Sequence, residues 1–79
     1  MVLQLKLNKK ASKLEILEFI YEKEIVSPAD LVERFGYTRL GAGSMLSWLK
    51  SQRLVINERR GEWTITDEGM RRLIYFGRL

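Results

Sequence analysis

The side chains of this chain that can act on another molecule are mostly cations and hydroxyls. The sequence contains no cysteine and no histidine. That removes thiolate nucleophiles, the usual zinc sites and the imidazole acid–base group. No serine can be backed by an imidazole base, and Glu15, Glu18 and Glu22 recur along one helical stripe instead of converging in a cleft. The expectation is a protein that is not an enzyme, with no catalytic residues, no metal and no cofactor. Charge distribution points elsewhere. Residues 1–33 carry five basic and six acidic side chains, whereas residues 34–79 carry nine and four. Between Arg34 and Arg60, six basic residues stand against Glu58 alone. A one-sided positive field attracts polyanions.

Within that basic half lies GYTRLGAGSMLSWLK, residues 36–50. Ala42, Met45, Leu46 and Leu49 have the spacing of a buried helical face, and Leu40, Ser44, Ser47 and Ser51 form the opposite stripe, with Gly43 beside it. Each glycine costs a helix roughly 0.5–1 kcal/mol relative to alanine. Gly41 and Gly43 therefore need a reason. One is close packing between helices inside the domain. Another is close approach of the helix to an external partner.

The elements that would position these residues follow from period and capping. Residues 1–10 alternate weakly (Leu3, Leu5 and Leu7 against Gln4 and Lys6) and read as an N-terminal arm or short strand. Ser12-x-x-Glu15 is a capping-box pattern opening a helix, with an earlier start near Asn8 as the alternative; its inner face is Leu14, Ile16, Leu17, Ile20 and Tyr21. Phe19 falls among the acids and reads first as an exposed ring, with a contact to the arm or a second subunit as the alternative. Ile25-Val26 reads as a strand stub. In SPADLVERFG, Ser27 is the N-cap, Pro28 the first helical residue and Gly36 the left-handed stop, with Leu31 and Phe35 inward. Thr38 caps the next helix, which runs to about Gln52. Val55-Ile56 opens a hairpin with Arg60-Gly61 in its bend, and Trp63 and Ile65 alternate with Thr64 and Thr66 on the return strand. Thr66 caps a last helix with Met70, Leu73 and Ile74 inward. The expected fold is mainly α with a small antiparallel β-hairpin (α+β), in the order helix, short strand, helix, helix, hairpin, helix.

SPADLVERFGYTRLGAGSMLSWLKSQRLV, INERRGEW and WTITDEG, taken in that order, resemble the winged helix-turn-helix domain of bacterial and archaeal transcription regulators. Residues 11–79 would form that single domain, with 1–10 an arm outside it. The resemblance implies duplex DNA as partner, helix 38–53 in the major groove and the wing, 57–62, near the minor groove. Carried over residue by residue, the DNA-binding set is Thr38, Arg39, Leu40, Gly41, Gly43, Ser44, Ser47, Lys50, Arg53, Arg59 and Arg60. Arg39 has the fork that suits guanine, Leu40 suits a thymine methyl, and serine hydroxyls suit phosphates or several base edges. Lys50 and Arg53 flank the far end of the helix, and Arg59 and Arg60 occupy the wing tip. Arg53 stands where such domains often carry glycine to end this helix, so the helix is expected to strain or to end by another route. Trp48, about 80° from the outer stripe, is expected against the second helix or the wing. Trp63 is expected to cover the core. Lys9, Lys10 and Lys13 read as a solvated face.

Two other functions fit the same residues. Fold does not settle function, and a winged helix can serve as a protein–protein docking module. Charge alone would also admit RNA. No apolar run is long enough for a membrane span or a signal peptide. That and the lack of cysteine lead to the expectation of a cytoplasmic protein. A core this small often gains support from a partner subunit. The spare apolar groups of LIYFGRL and of the arm predict a homodimer through the C-terminal helix and the N-terminal arm.

Overall fold

A computed structural model describes residues 11–79. The N-terminal arm, including the Leu3-Leu5-Leu7 alternation, Lys9 and Lys10, lies outside the described residues. The chain forms α1 (Lys13–Lys23), α2 (Pro28–Phe35), α3 (Arg39–Ser51), β1 (Val55–Arg59), β2 (Glu62–Ile65) and α4 (Asp67–Tyr75). It is mainly helical with one antiparallel hairpin, in the order anticipated.

Local chemistry sets each boundary. Ser12 and Glu15 form a reciprocal capping box, as do Ser27 and Asp30, with Pro28 at the first position of α2. Gly36 ends α2 at φ 79°, in the left-handed region where glycine is unstrained. Thr38 opens α3 by accepting a hydrogen bond from the Gly41 N–H at 2.9 Å. Arg53 ends α3 in a left-handed conformation, φ 65°. Its N–H donates to the Lys50 carbonyl at 2.8 Å, and the Leu54 N–H to Leu49 at 3.0 Å. This pair of hydrogen bonds closes the helix as it would with glycine at position 53, with buried Leu49 and Leu54 as its apolar pair. The expected strain is present and no alternative termination replaces it.

One core joins every element. Ile16, Leu17 and Ile20 of α1, Val26, Leu31 of α2, Ala42, Leu46 and Leu49 of α3, Leu54, Val55 and Leu73 of α4 are all buried. Helix α2 packs on α3, and α1 packs on β2 and α4. The strand stub narrows to Val26, whose N–H and carbonyl pair with those of Trp63 at 3.0 and 2.8 Å. Ile25 is exposed. Trp63 is half-buried against the core, as expected.

Four expectations need correction. Phe19 is half-buried, not a free ring: it meets Phe35 edge-on at 5.5 Å, with the Arg34 guanidinium 5.8 Å from its centre. Phe35 and Arg34 at the end of α2 reach Phe19, while Glu15 and Glu22 beside it stay exposed. Tyr21 sits at the edge of the α1 inner face and is exposed. Ile74 is 60% exposed, because α4 turns only Gly69 and Leu73 fully inward, with Met70 beside them. Lys13 is not merely solvated: its ammonium lies 5.2 Å from the Trp48 ring centre.

Candidate nucleic-acid interface

The candidate site begins with the glycines of α3. A Cβ built on Gly43 would have no neighbour within 4 Å among the described residues, so packing among them gives no reason for glycine there. Gly41 differs. A Cβ would lie 3.0 Å from the Thr38 hydroxyl that caps the helix and 3.6 Å from the Tyr37 ring, so this glycine does serve the cap. The tightest glycine is Gly69 of α4. A Cβ there would strike the Leu54 carbonyl oxygen and come within 2.6 Å of Ile65 Cγ1. Its role, holding α4 against the exit of α3 and β2, had no signal in the sequence beyond its place in a helical pattern.

Leu40, Ser44 and Ser47 are exposed, so the outer face of α3 is open along its length. Arg39, Leu40, Gly43, Ser44 and Ser47 line one shallow concavity of about 650 Å³, walled by Trp48 and by Trp63 of β2. Five of the anticipated residues thus come together. Thr38 is committed to capping, and Gly41 faces that cap. Lys50, Arg53, Arg59 and Arg60 are exposed but do not line the concavity. Ser51 turns back on its own helix, its hydroxyl donating to the Trp48 carbonyl at 2.6 Å.

The two tryptophans were the missed members of this surface. Trp48 is 45% exposed and sits under the Lys13 ammonium, so a cation from α1 reaches the flank of α3. Its angle off the outer stripe allowed this position without demanding it. Trp63 borders the concavity while also lying against the core.

The hairpin tip has its own lock. The register passes from Asn57↔Trp63 to Arg59↔Glu62, leaving Glu58 as the extra residue of a bulge, and Gly61 takes φ 74°. The Asn57 amide donates to the Arg59 carbonyl at 2.6 Å and to the Glu62 carbonyl at 2.9 Å. Arg59, the last residue of β1, and Arg60, the first of the two-residue turn Arg60-Gly61, are thereby carried on a braced hairpin end. At the other end, the Thr66 hydroxyl donates to the Arg53 carbonyl at 2.8 Å and accepts from the Gly69 N–H at 3.0 Å. One side chain ties the end of α3 to the start of α4.

Near the start of α3, the Tyr37 hydroxyl is buried without a hydrogen-bond partner among the described residues. Burial pushes its phenol above the ordinary tyrosine range. No helix among the described residues is long and apolar enough to cross a membrane. Compared with known proteins, the chain matches no family model, no curated protein and no solved structure.

Proposed function

We propose that this chain is a winged helix-turn-helix domain that binds double-stranded DNA and acts as a small transcription regulator. The observation that carries the reading is the outer face of α3. Gly43 has no packing role among the described residues, and it lies among exposed Arg39, Leu40, Ser44 and Ser47 in one concavity. A helix face without bulk lets backbone and short hydroxyls approach the groove floor. The helix, about 20 Å long, crosses a major groove about 12 Å wide. Lys50 and Arg53 at its end and Arg59 and Arg60 at the braced hairpin end supply phosphate and minor-groove contacts.

The test is a titration of duplex DNA at two or more salt concentrations. Four phosphate-neutralising cations give a slope of log K against log salt of about −3.6, and Arg59→Ala with Arg60→Ala reduces it to about −1.8. No binding at low salt, or a slope indifferent to the double substitution, defeats the proposal. The second reading is a protein-docking module. Exposed Leu40 beside Trp48 favours it, since apolar anchors suit a protein partner. Recovery of one protein partner, with no affinity for nucleic acid, would establish it instead. RNA in place of duplex DNA is tested in the same titration.

Self-association through α4 belongs to the same proposal. Ile74, Tyr75, Phe76 and Leu79 are all exposed at the C-terminal end, with Tyr75 and Phe76 packed edge-on at 4.9 Å. A two-fold pair would bury this patch and match paired half-sites.

A further inference from the structure

We infer that the concavity beside α3 selects duplexes through the C5-methyl groups of thymine, next to a guanine. The inference rests on the DNA-binding reading above and names what that site would read.

In the major groove, adenine is read by the paired amide of Asn or Gln, cytosine by an Asp or Glu acceptor, guanine by Arg or Lys, and thymine through its methyl group. Helix α3 reads RLGAGSMLSWLKS and contains no Asn, Gln, Asp or Glu. The residues lining the concavity are Arg39, Leu40, Gly43, Ser44, Ser47, Trp48 and Trp63. Serine hydroxyls donate and accept, so they accommodate several base edges without choosing among them. Trp48 and Trp63 form the walls of the concavity and are more buried than Leu40, which leaves two selective groups at the open first turn of α3: the guanidinium of Arg39 and the branched carbon end of Leu40.

Leu40 is 81% exposed, the highest value among the large apolar side chains described. It stands one residue from Arg39, at the start of α3, with the open Gly43 one turn below. In the major groove, the thymine methyl is the one apolar substituent a base presents. A duplex therefore offers Leu40 a single kind of complement. Removing one buried methyl from the contact is expected to weaken binding about fourfold per thymine. Phosphate contacts are indifferent to that methyl, which isolates the effect.

The experiment enriches duplexes from a random-sequence pool against the full chain. The best binder is then remade with uracil in place of thymine and titrated against wild type and Leu40→Ala. Leu40 is exposed, so its truncation leaves the fold intact, as circular dichroism would verify. The expected result is a guanine flanked by thymines in the enriched set. Wild type should prefer the thymine duplex about fourfold per contacted methyl, and Leu40→Ala should bring that ratio close to one. Equal wild-type affinity for the two duplexes overturns the inference while leaving DNA binding standing, and a thymine preference undiminished in Leu40→Ala overturns it too. If no duplex is enriched or bound, the DNA-binding reading itself fails and this inference falls with it.

Discussion

Replacing Gly43 by alanine separates the two reasons a glycine can sit inside a helix. The position is helical and a Cβ there meets nothing within 4 Å among the described residues. Alanine should therefore recover its full helical advantage, about 1 kcal/mol. In a domain of this size that raises the melting temperature by roughly 4–8 °C. Gly69→Ala is the matched control. There a Cβ strikes the Leu54 carbonyl and comes within 2.6 Å of Ile65 Cγ1, so the melting temperature must fall, by an overpacking cost of about 1–3 kcal/mol. Binding should move the other way from stability at position 43. Gly43→Leu keeps the helix but places four carbons where the duplex backbone or base edges would approach, and should weaken duplex DNA binding at least about tenfold, some 1.4 kcal/mol. Thermal melts followed by circular dichroism and fluorescence anisotropy with labelled duplex read both effects. Destabilisation by Gly43→Ala would mean the glycine serves internal packing after all. Unchanged affinity in Gly43→Leu would refute the close-approach argument even if the stability prediction holds.

Other substitutions probe single features. Arg53→Gly relieves a left-handed arginine at φ 65° and should stabilise the fold by about 1 kcal/mol; the same change removes one cation and should reduce the salt slope of DNA binding by about 0.9. Tyr37→Phe deletes a buried hydroxyl with no partner among the described residues and should raise stability by about 1 kcal/mol in denaturant melts. Its pH dependence has a definite sign: the folded phenol is raised above its unfolded value, so the stability linked to it is intact below about pH 10 and is lost as pH rises through the folded value. Wild type should thus lose more stability than Tyr37→Phe in that alkaline range. Tyr75 is 80% exposed and in edge contact with Phe76; sedimentation at high protein concentration should show a dimer for wild type and a monomer for Tyr75→Asp, and a wild-type monomer would end the self-association proposal.

Helix starts were the most legible feature, because they depend on neighbouring residues. Ser12, Ser27, Thr38 and Thr66 each cap the helix anticipated, and Gly36 and Gly61 take the positive φ that their turns require. The buried face of α3 was legible from its period. What depended on distant contacts was not. Phe19 lies on a polar helical stripe and is covered because Phe35 arrives from α2. Ile74 has the type of a core residue, but α4 offers only a narrow inward face. Nothing near Gly69 in the chain announces that the Leu54 carbonyl presses on it. In the candidate site, Arg39, Leu40, Gly43, Ser44 and Ser47 share one helix and so could be grouped by spacing. Trp63 joins them from another element, through a hairpin whose register no local pattern specifies.

Backbone chemical-shift mapping with an unlabelled duplex tests the central claim most directly. Bound DNA should perturb the amides of Arg39, Leu40, Gly43, Ser44 and Ser47, those of Lys50 and Arg53, and those of Arg59 to Gly61, leaving α4 largely unmoved. Perturbations confined to α4 or the acidic stripe of α1, or no perturbation at low salt, would contradict the assignment of the outer face of α3 as the surface that meets DNA.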